Sequence, residues 1–397
     1  MTILDNTQIS EKCTACGACV NICPKKAIVL SDKKNNFLFP EVDGNKCVQC
    51  GLCNRVCHIG KELKNTQIDG YGSFRGEDSL RLKSSSGALF YYLAQTVLKS
   101  GGAVYGAAFD PVNKTVKHVS TDEYPLEDVM RSKYVQSETG DCYRKVVNDL
   151  AHGRKVLFCG TPCQNYALTQ ILNGKNYDNL LKVDFVCHGV PSGRFFKDVL
   201  THYENVYKSK VNNVTFREKD IGWRSQVVKI YFDNGCVLSE RSNYYYYYYL
   251  AFINNLTLRD SCFKCRFPTS HYSDLTIFDY WESADNDNLG TSGYLVNSPN
   301  GQKYINLLPE SLFGKIDKED YIKLVTLPHD CVDSYNHRYR YAVKFRRIYK
   351  KYGVKRAIKY LKTVTKRIRI SERIKSKFKS LRMKCKQVFV KNSKERI

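Results

Sequence analysis

Residues from Gly87 to Leu98 are apolar at helical spacing, and Gly101-Gly-Ala-Val-Tyr-Gly-Ala-Ala-Phe109 behind them reads as a turn and a strand. Lys155-Val-Leu-Phe-Cys159 predicts a short buried strand, broken by Gly160-Thr-Pro162, with a helix starting near Cys163. Leu180 to Cys187 predicts another apolar strand, ending in His188-Gly-Val-Pro191 before a helix from about Ser192. Strand, helix, strand, helix predicts an α/β domain over about 70–335 with a parallel sheet, whose ligands gather at the carboxyl ends of the strands. If those two strands are neighbours, Cys163 and Cys187 share one rim.

The end of the chain carries a different pattern. Tyr341, Phe345, Ile348 and Tyr352, then Val354, Ile358 and Leu361, recur at three and four, as do Ile370, Ile374, Phe378 and Leu381. From Arg338 onward there are 24 Lys+Arg against Glu372 and Glu395, so +22 of the formal +24 lies in this tail. The body is nearly neutral. A basic amphipathic helix over 336–397 fits an anionic membrane surface, such as the inner face of a membrane. A plain solvated extension or another acidic partner is the alternative. Nucleic acid is disfavoured, because no recognition motif accompanies the charge.

Composition narrows the class. With 397 residues and 43% hydrophobic content, the chain is long enough for two or three domains with proper cores, and wholesale disorder is excluded. No secretory signal is visible at the start, and the longest apolar candidate, Tyr244 to Ile253, is too short to span a bilayer. A reducing, cytoplasmic setting is therefore expected, where the 17 cysteines are metal ligands or redox groups before they are bridges.

Eight of them form a doubled motif. Cys13, Cys16, Cys19 and Cys23 are spaced Cys-x2-Cys-x2-Cys-x3-Cys before Pro24, and Cys47, Cys50, Cys53 and Cys57 repeat the spacing 34 residues later, before His58. Such a loop wraps three thiolates round one cubane, while the fourth cysteine reaches the other cluster. One 4Fe-4S cluster is thus expected on Cys13, Cys16, Cys19 and Cys57, and a second on Cys47, Cys50, Cys53 and Cys23. Gly17 and Gly51 are expected to let backbone amides approach the sulfurs. Zinc spacing would come as separated pairs. Residues 1–65 therefore resemble the bacterial two-cluster ferredoxin domain, which passes single electrons and needs a source or sink elsewhere.

A further pair, Cys262-x2-Cys265, joined by Cys163 and Cys187, would complete a third four-thiolate site, with Cys159 and Cys142 close in sequence. A third 4Fe-4S cluster, a structural zinc and inert buried thiols all remain open. Cys236, Cys331 and Cys385 have no partner pattern.

Ser84-Ser-Ser-Gly87, Ser132-Lys-Tyr-Val-Gln-Ser137, Gly160-Thr-Pro-Cys-Gln164, Cys187-His-Gly-Val-Pro-Ser192, Ser261-Cys-Phe-Lys-Cys265, Ser273-Asp-Leu-Thr276 and Asp279-Tyr-Trp281 occur in that order. Over about 70–315 this set resembles the coenzyme F-420 hydrogenase/dehydrogenase beta-subunit family. The form with a fused ferredoxin is similar to bacterial members associated with surface-polysaccharide biosynthesis. The resemblance implies an α/β (α+β) reductase core in two parts, 70–150 and 151–335, that holds FAD beside an iron–sulfur site. Ala88, Phe278 and Tyr280 depart from the pattern, which has glycine, glycine and phenylalanine there. Under the flavin reading, Ser84, Ser85, Ser86 and Gly87 would cradle a pyrophosphate, against ordinary helix capping as the alternative. Lys133 would place a charge near the ring, Ser137, Gly160, Thr161 and Gln164 would line the cofactor, and His188 would give a proton. A solvated Lys133 and a structural His188 are the alternatives. The expected activity is oxidoreduction between a ferredoxin, flavodoxin or deazaflavin donor and a two-electron acceptor. The competing reading is an electron-transfer subunit whose substrate site lies in a partner, and a non-catalytic scaffold is a third.

Overall fold

The computed structural model describes residues 9–34, 36–225, 227–241, 247–282, 287–326 and 335–394, with side chains left aside at 9–10, 33–34, 240–241, 323–326, 335–337 and 369–394. Its strands are β1 (Ile28–Lys34), β2 (Phe37–Val42), β3 (Gly70–Phe74), β4 (Ala103–Asp110), β5 (Thr115–Ser120), β6 (Ser137–Glu138) and β7 (Val156–Cys159). They continue with β8 (Leu180–Phe185), β9 (Val211–Glu218), β10 (Val227–Phe232), β11 (Val237–Arg241), β12 (Leu275–Asp279), β13 (Ser292–Val296) and β14 (Phe313–Gly314).

Nine of these strands make one sheet, in the order β14-β3-β13-β12-β8-β7-β4-β5-β6. Its centre, β12-β8-β7-β4, is parallel, with Val156 opposite Leu180 and Leu275 opposite Val183. The flanks differ from the parallel sheet expected: β13 pairs antiparallel with both β12 and β3, and β5 returns antiparallel on β4. For β5 the physical reason lies in the connection, since 111–114 is long enough to reverse the chain but too short for a helical crossover. Strand β3 of the expected first part and β13 of the second lie side by side, so one sheet unites both parts.

Alternation along the central strands feeds two cores. Val104, Leu157 and Leu181 face the helix Leu89–Leu98, whose Leu89, Leu93, Ala94 and Val97 are buried. Ala103, Tyr105, Val156, Phe158 and Leu180 face the helices Cys142–Ala151 and Pro162–Ile171. Ala18 and Val56 of the N-terminal unit join this second core, so that unit is packed onto the body. The unit contains the hairpin β1–β2, the helix Ile9–Lys12 and two further short helices, Ala18–Ile22 and Leu52–Val56, one for each copy of the doubled motif.

A third core gathers the helix Gly193–Tyr207, the small sheet β11-β10-β9, the helix Tyr247–Ile253 and the C-terminal helix. That last helix, Tyr335–Lys394, is interrupted by non-helical backbone at Gly353. Phe345, Tyr349, Ala357, Leu361, Val364 and Ile368 are buried in one core with Phe195 and Tyr248, Ile358 is buried as well, and Phe195 meets the Phe345 ring edge-on at 5.2 Å. The expected free amphipathic face is therefore corrected for 338–368: its apolar side is occupied by the protein's own core, while Tyr352 is exposed. The side chains of Ile370, Ile374, Phe378, Leu381 and Cys385 lie outside those described, as does Cys331. Among the described residues no helix is long and apolar enough to cross a membrane.

Candidate redox centre

Each half of the doubled motif is built the same way. Gly17 (φ 80°) and Gly51 (φ 74°) stand in the left-handed region at the start of the two short helices, and Cys23 and Cys57 leave those helices in extended conformation. The turn thus needs glycine for its backbone angle. At Gly17 there is also no room, because a Cβ would fall 1.9 Å from Thr139 Oγ1 of the body. Amides reach the sulfurs from other residues: Ala15 N–H donates to Cys13 Sγ at 3.3 Å, Ala27 N–H to Cys23 Sγ at 3.3 Å and Ile59 N–H to Cys57 Sγ at 3.5 Å.

Cys13, Cys16, Cys19 and Cys57 act on one another. Burial pushes the Cys16 thiol up to about 12, with Cys163, Cys13 and Cys57 adding to it, and Cys19 and Cys57 are raised in the same way. Cys23, Cys47, Cys50 and Cys53 line one pocket that is partly open to solvent. Thiols that raise one another are relieved when a metal cluster takes them as thiolates. The donor set fits two clusters, one inside and one at the surface, where Cys50 is exposed.

The other four cysteines also converge. Cys187 is held well above the usual thiol value by burial and then by Cys262, Cys163 and Cys265. Cys265 is pushed up to about 11 by burial, with Cys163 among its neighbours. Val190 N–H donates to Cys262 Sγ at 3.3 Å and Phe267 N–H to Cys265 Sγ at 3.4 Å, repeating the amide-to-sulfur pattern of the ferredoxin loops. Cys159 and Cys142 stand elsewhere: the charges acting on them are Asp184 and Lys133, and Asp141 and Lys145. Cys236 is exposed on the turn before β11. Among the described residues, no three His, Cys, Asp or Glu side chains stand close enough to hold one metal ion. A cubane's thiolates are farther apart than those of a lone ion.

This set lies beside the inner ferredoxin loop. The hydroxyl of Thr14 reaches Cys163, as does that of Thr161 at 3.1 Å. Tyr143 Oη donates to Cys16 O at 2.8 Å and lies 3.4 Å from Gln164 O, spanning the two loops.

The residues assigned to a flavin are engaged by the protein itself. Ser132 N–H donates to Ser85 Oγ at 2.8 Å, Ser86 Oγ donates to Thr291 O at 2.7 Å, and Gly87 N–H donates to Ser292 Oγ at 2.9 Å. A Cβ at Gly87 would lie 2.2 Å from Phe74 O, so backbone packing alone demands glycine there. Ser84 Oγ is buried and has no hydrogen-bond partner among the described residues. Lys133 Nζ donates to the carbonyls of Asp128 and Met130, and burial pushes it down to about 7. Gln164 Oε1 accepts from Thr161 N–H at 2.9 Å while its Nε2 donates to Ser137 Oγ at 3.0 Å; Asn165 Nδ2 donates to Gly160 O at 3.1 Å. His188 Nε2 lies 2.7 Å from Asn255 Oδ1, with its ring against Phe252. Apart from Ser84 Oγ, these groups are held by hydrogen bonds to the protein's own atoms.

The departures find local reasons. Phe278 lies opposite Gly293 on β13, where a Cβ would fall 2.1 Å from the ring, so large and small side chains share that space. Asp279 points to the other face and pairs with Arg217 at 2.7 Å. Tyr280 Oη donates to Asp320 at 3.1 Å, and Ala88 takes the left-handed conformation (φ 72°) that glycine would favour.

Sequence reasoning missed the arginines that dock the N-terminal unit. Arg144 donates to Asn21 O (2.7 Å), Val20 O (3.0 Å) and Cys23 O (2.7 Å). Arg266 donates to His58 O at 2.9 Å and to Lys61 O, and Arg259 to Cys13 O at 2.7 Å. The only available signal was position, with Arg259 and Arg266 flanking Cys262 and Cys265.

Comparison with known proteins follows the same division. Residues 12–61 match the 4Fe-4S dicluster domain, and residues 153–320 match the C terminus of the coenzyme F420 hydrogenase/dehydrogenase beta subunit. No curated protein matches the chain. Among solved structures it is similar to a chain of the F420-reducing [NiFe] hydrogenase complex from Methanosarcina barkeri, at 15% identity and a TM-score of 0.43, over 75% of this chain and 91% of that one. Over its two matched stretches the chain is thus similar to an iron–sulfur electron-transfer subunit: a 4Fe-4S dicluster domain, then the C-terminal part of an F420 hydrogenase/dehydrogenase beta subunit.

Proposed function

We propose that this protein is an iron–sulfur oxidoreductase subunit. In this reading it relays electrons from a small redox carrier, through the surface cluster and the inner cluster, to a third 4Fe-4S centre on Cys163, Cys187, Cys262 and Cys265. The observation that carries the reading is the convergence of those four thiols against the Cys13–Cys19 loop, with Cys163 raising Cys16. Each cluster supplies one-electron transfer when bound. The chain's own residues bury the inner thiols, donate amides to sulfur and hold the two loops together through Tyr143 and Thr14. The surface loop offers Cys50 to a ferredoxin, flavodoxin or deazaflavin donor.

From the resemblance we further propose FAD as the two-electron partner and an intermediate of surface-polysaccharide biosynthesis as acceptor. The exposed Lys344, Arg347, Lys350, Lys351, Lys355 and Arg356 support attraction to an anionic membrane by charge alone, because the apolar side of 338–368 is covered. Binding to anionic vesicles that persists above about 0.5 M salt would contradict that charge-only attachment.

The test of the main reading is anaerobic mixing of the full-length protein with a reduced ferredoxin and, separately, a reduced deazaflavin. Bleaching of the visible cluster absorbance by at least one donor is expected, and flavin released on denaturation would extend the relay. Absorbance unmoved by every donor overturns the relay.

A further inference from the structure

The guanidinium of Arg259 lies between the inner ferredoxin loop and the third thiol set, and its side chain is among the most buried in the protein, at 1% exposure. Nε donates to Cys13 O at 2.7 Å, Nη1 to Gln136 Oε1 at 3.2 Å and Nη2 to Leu38 O. Gln136 in turn donates from Nε2 to Thr14 O at 3.1 Å, so both loop carbonyls are gripped from one point. The guanidinium also stacks over Phe39 at 4.4 Å and Phe37 at 5.4 Å, which close it off from water. Its own backbone ties it to the third thiol set, since Arg259 O accepts from Cys262 N–H at 3.0 Å and Arg259 N–H donates to Val190 O at 3.1 Å.

What is missing is a counter-ion. Among the described residues no carboxylate pairs with Arg259, and the adjacent Asp260 is taken by Arg346 at 2.7 Å. A buried cation without an anion is strongly disfavoured unless something else carries the compensating charge. The groups that can do so on either side are thiolates: Cys13, Cys16, Cys19 and Cys57 in one direction, Cys163 and its partners in the other. A cluster bound by four cysteine thiolates carries net negative charge, and each electron it accepts adds another. A fixed cation at this position therefore stabilises the reduced form more than the oxidised form.

We propose that Arg259 is the shared counter-charge of the inner ferredoxin cluster and the centre beside it, and that it sets their reduction potentials while holding the two loops in register. Its effect on the inner cluster rests on the dicluster domain alone. Its effect on the neighbouring centre rests on the third-cluster reading given above. Arg259 is a positioning residue, since it acts on the clusters through charge and through carbonyls rather than as a ligand. Lysine would keep the charge and lose most of the fork, whereas methionine would keep the bulk and lose the charge.

The experiment is a potentiometric titration of the full-length protein, purified without oxygen, followed by the electron paramagnetic resonance signals of the reduced clusters. Wild type is compared with Arg259→Lys and Arg259→Met, and iron per chain is measured for each. In Arg259→Met the ratio of reduced to oxidised cluster at fixed potential should fall at least tenfold, which for one electron is 59 mV. Arg259→Lys should stay near wild type. Failure of Arg259→Met to retain iron while Arg259→Lys is loaded and near wild type supports the proposal too, because the charge is then needed for assembly. Unshifted potentials in both variants overturn it, as do equal shifts or equal loss of iron in both, which would assign Arg259 to packing. If wild type holds iron for two clusters only, the third-centre reading fails, and the inner cluster's potential still decides the role of Arg259.

Discussion

Arg144→Met tests whether the N-terminal unit is held rigidly against the body. The guanidinium makes three bonds to carbonyls at the end of the helix Ala18–Ile22, at 2.7, 3.0 and 2.7 Å. A cation at a helix carboxyl end also opposes the helix dipole. Methionine keeps much of the stem and removes all three donors. At roughly 1 kcal/mol net for each bond, after water re-solvates the partly buried carbonyls, about 3 kcal/mol of local docking is lost. That corresponds to about a hundredfold rise in local opening. Hydrogen exchange read by mass spectrometry on the cluster-loaded protein should show amides of about 16–23 exchanging roughly a hundred times faster. Amides in β7 and β8 should keep their rates. Unchanged exchange in 16–23 would refute the reasoning, because the three bonds would then contribute nothing to docking. Equal acceleration in β7 and β8 would refute it too, by showing global rather than local loss.

Ala88→Gly should raise the unfolding free energy by about 0.5–1 kcal/mol, since Ala88 sits at φ 72° where a Cβ is disfavoured; denaturant melts read this, and a loss of stability would contradict it. His271 gives a pH dependence. Burial works against its charged form, but the Asp184 carboxylate, 3.0 Å from Nδ1 and also facing Lys182, outweighs burial and raises His271 above 6.5. The folded protein thus holds the proton more tightly than the unfolded chain. The contribution is complete below about pH 6.5 and is lost as pH rises through the folded value. The stability difference between wild type and His271→Asn should therefore shrink from pH 6 toward about pH 9; a difference that grows over that range reverses the sign of the argument.

Strands β7 and β8 were legible because each is a short apolar run closed by Gly-Thr-Pro or by His-Gly-Val-Pro. Their pairing is what sets Cys163 and Cys187 past adjacent strand ends, as the pattern of runs and breaks implies. The antiparallel flanks were not legible, since β3, β13 and β14 are short, glycine-containing segments whose pairing is decided by distant partners. The tail misled for a physical reason: an amphipathic helix has the same periodicity whether its apolar side meets lipid or Phe195 and Tyr248. The cysteine spacing was informative because ligation fixes local geometry. The serine loop was ambiguous because hydroxyls that could hold phosphate also bond to backbone, as Ser85 and Ser86 do. Arg144 has no signature, and Arg259 and Arg266 have only their place beside Cys262 and Cys265, because donating to carbonyls of a distant loop leaves no local pattern.

Iron content is the most direct measure of the relay. Full-length protein prepared without oxygen should carry about twelve irons per chain, and Cys163→Ser or Cys187→Ser should carry about eight. About eight in wild type and in both variants would contradict a third centre and end the electron path at the inner ferredoxin cluster.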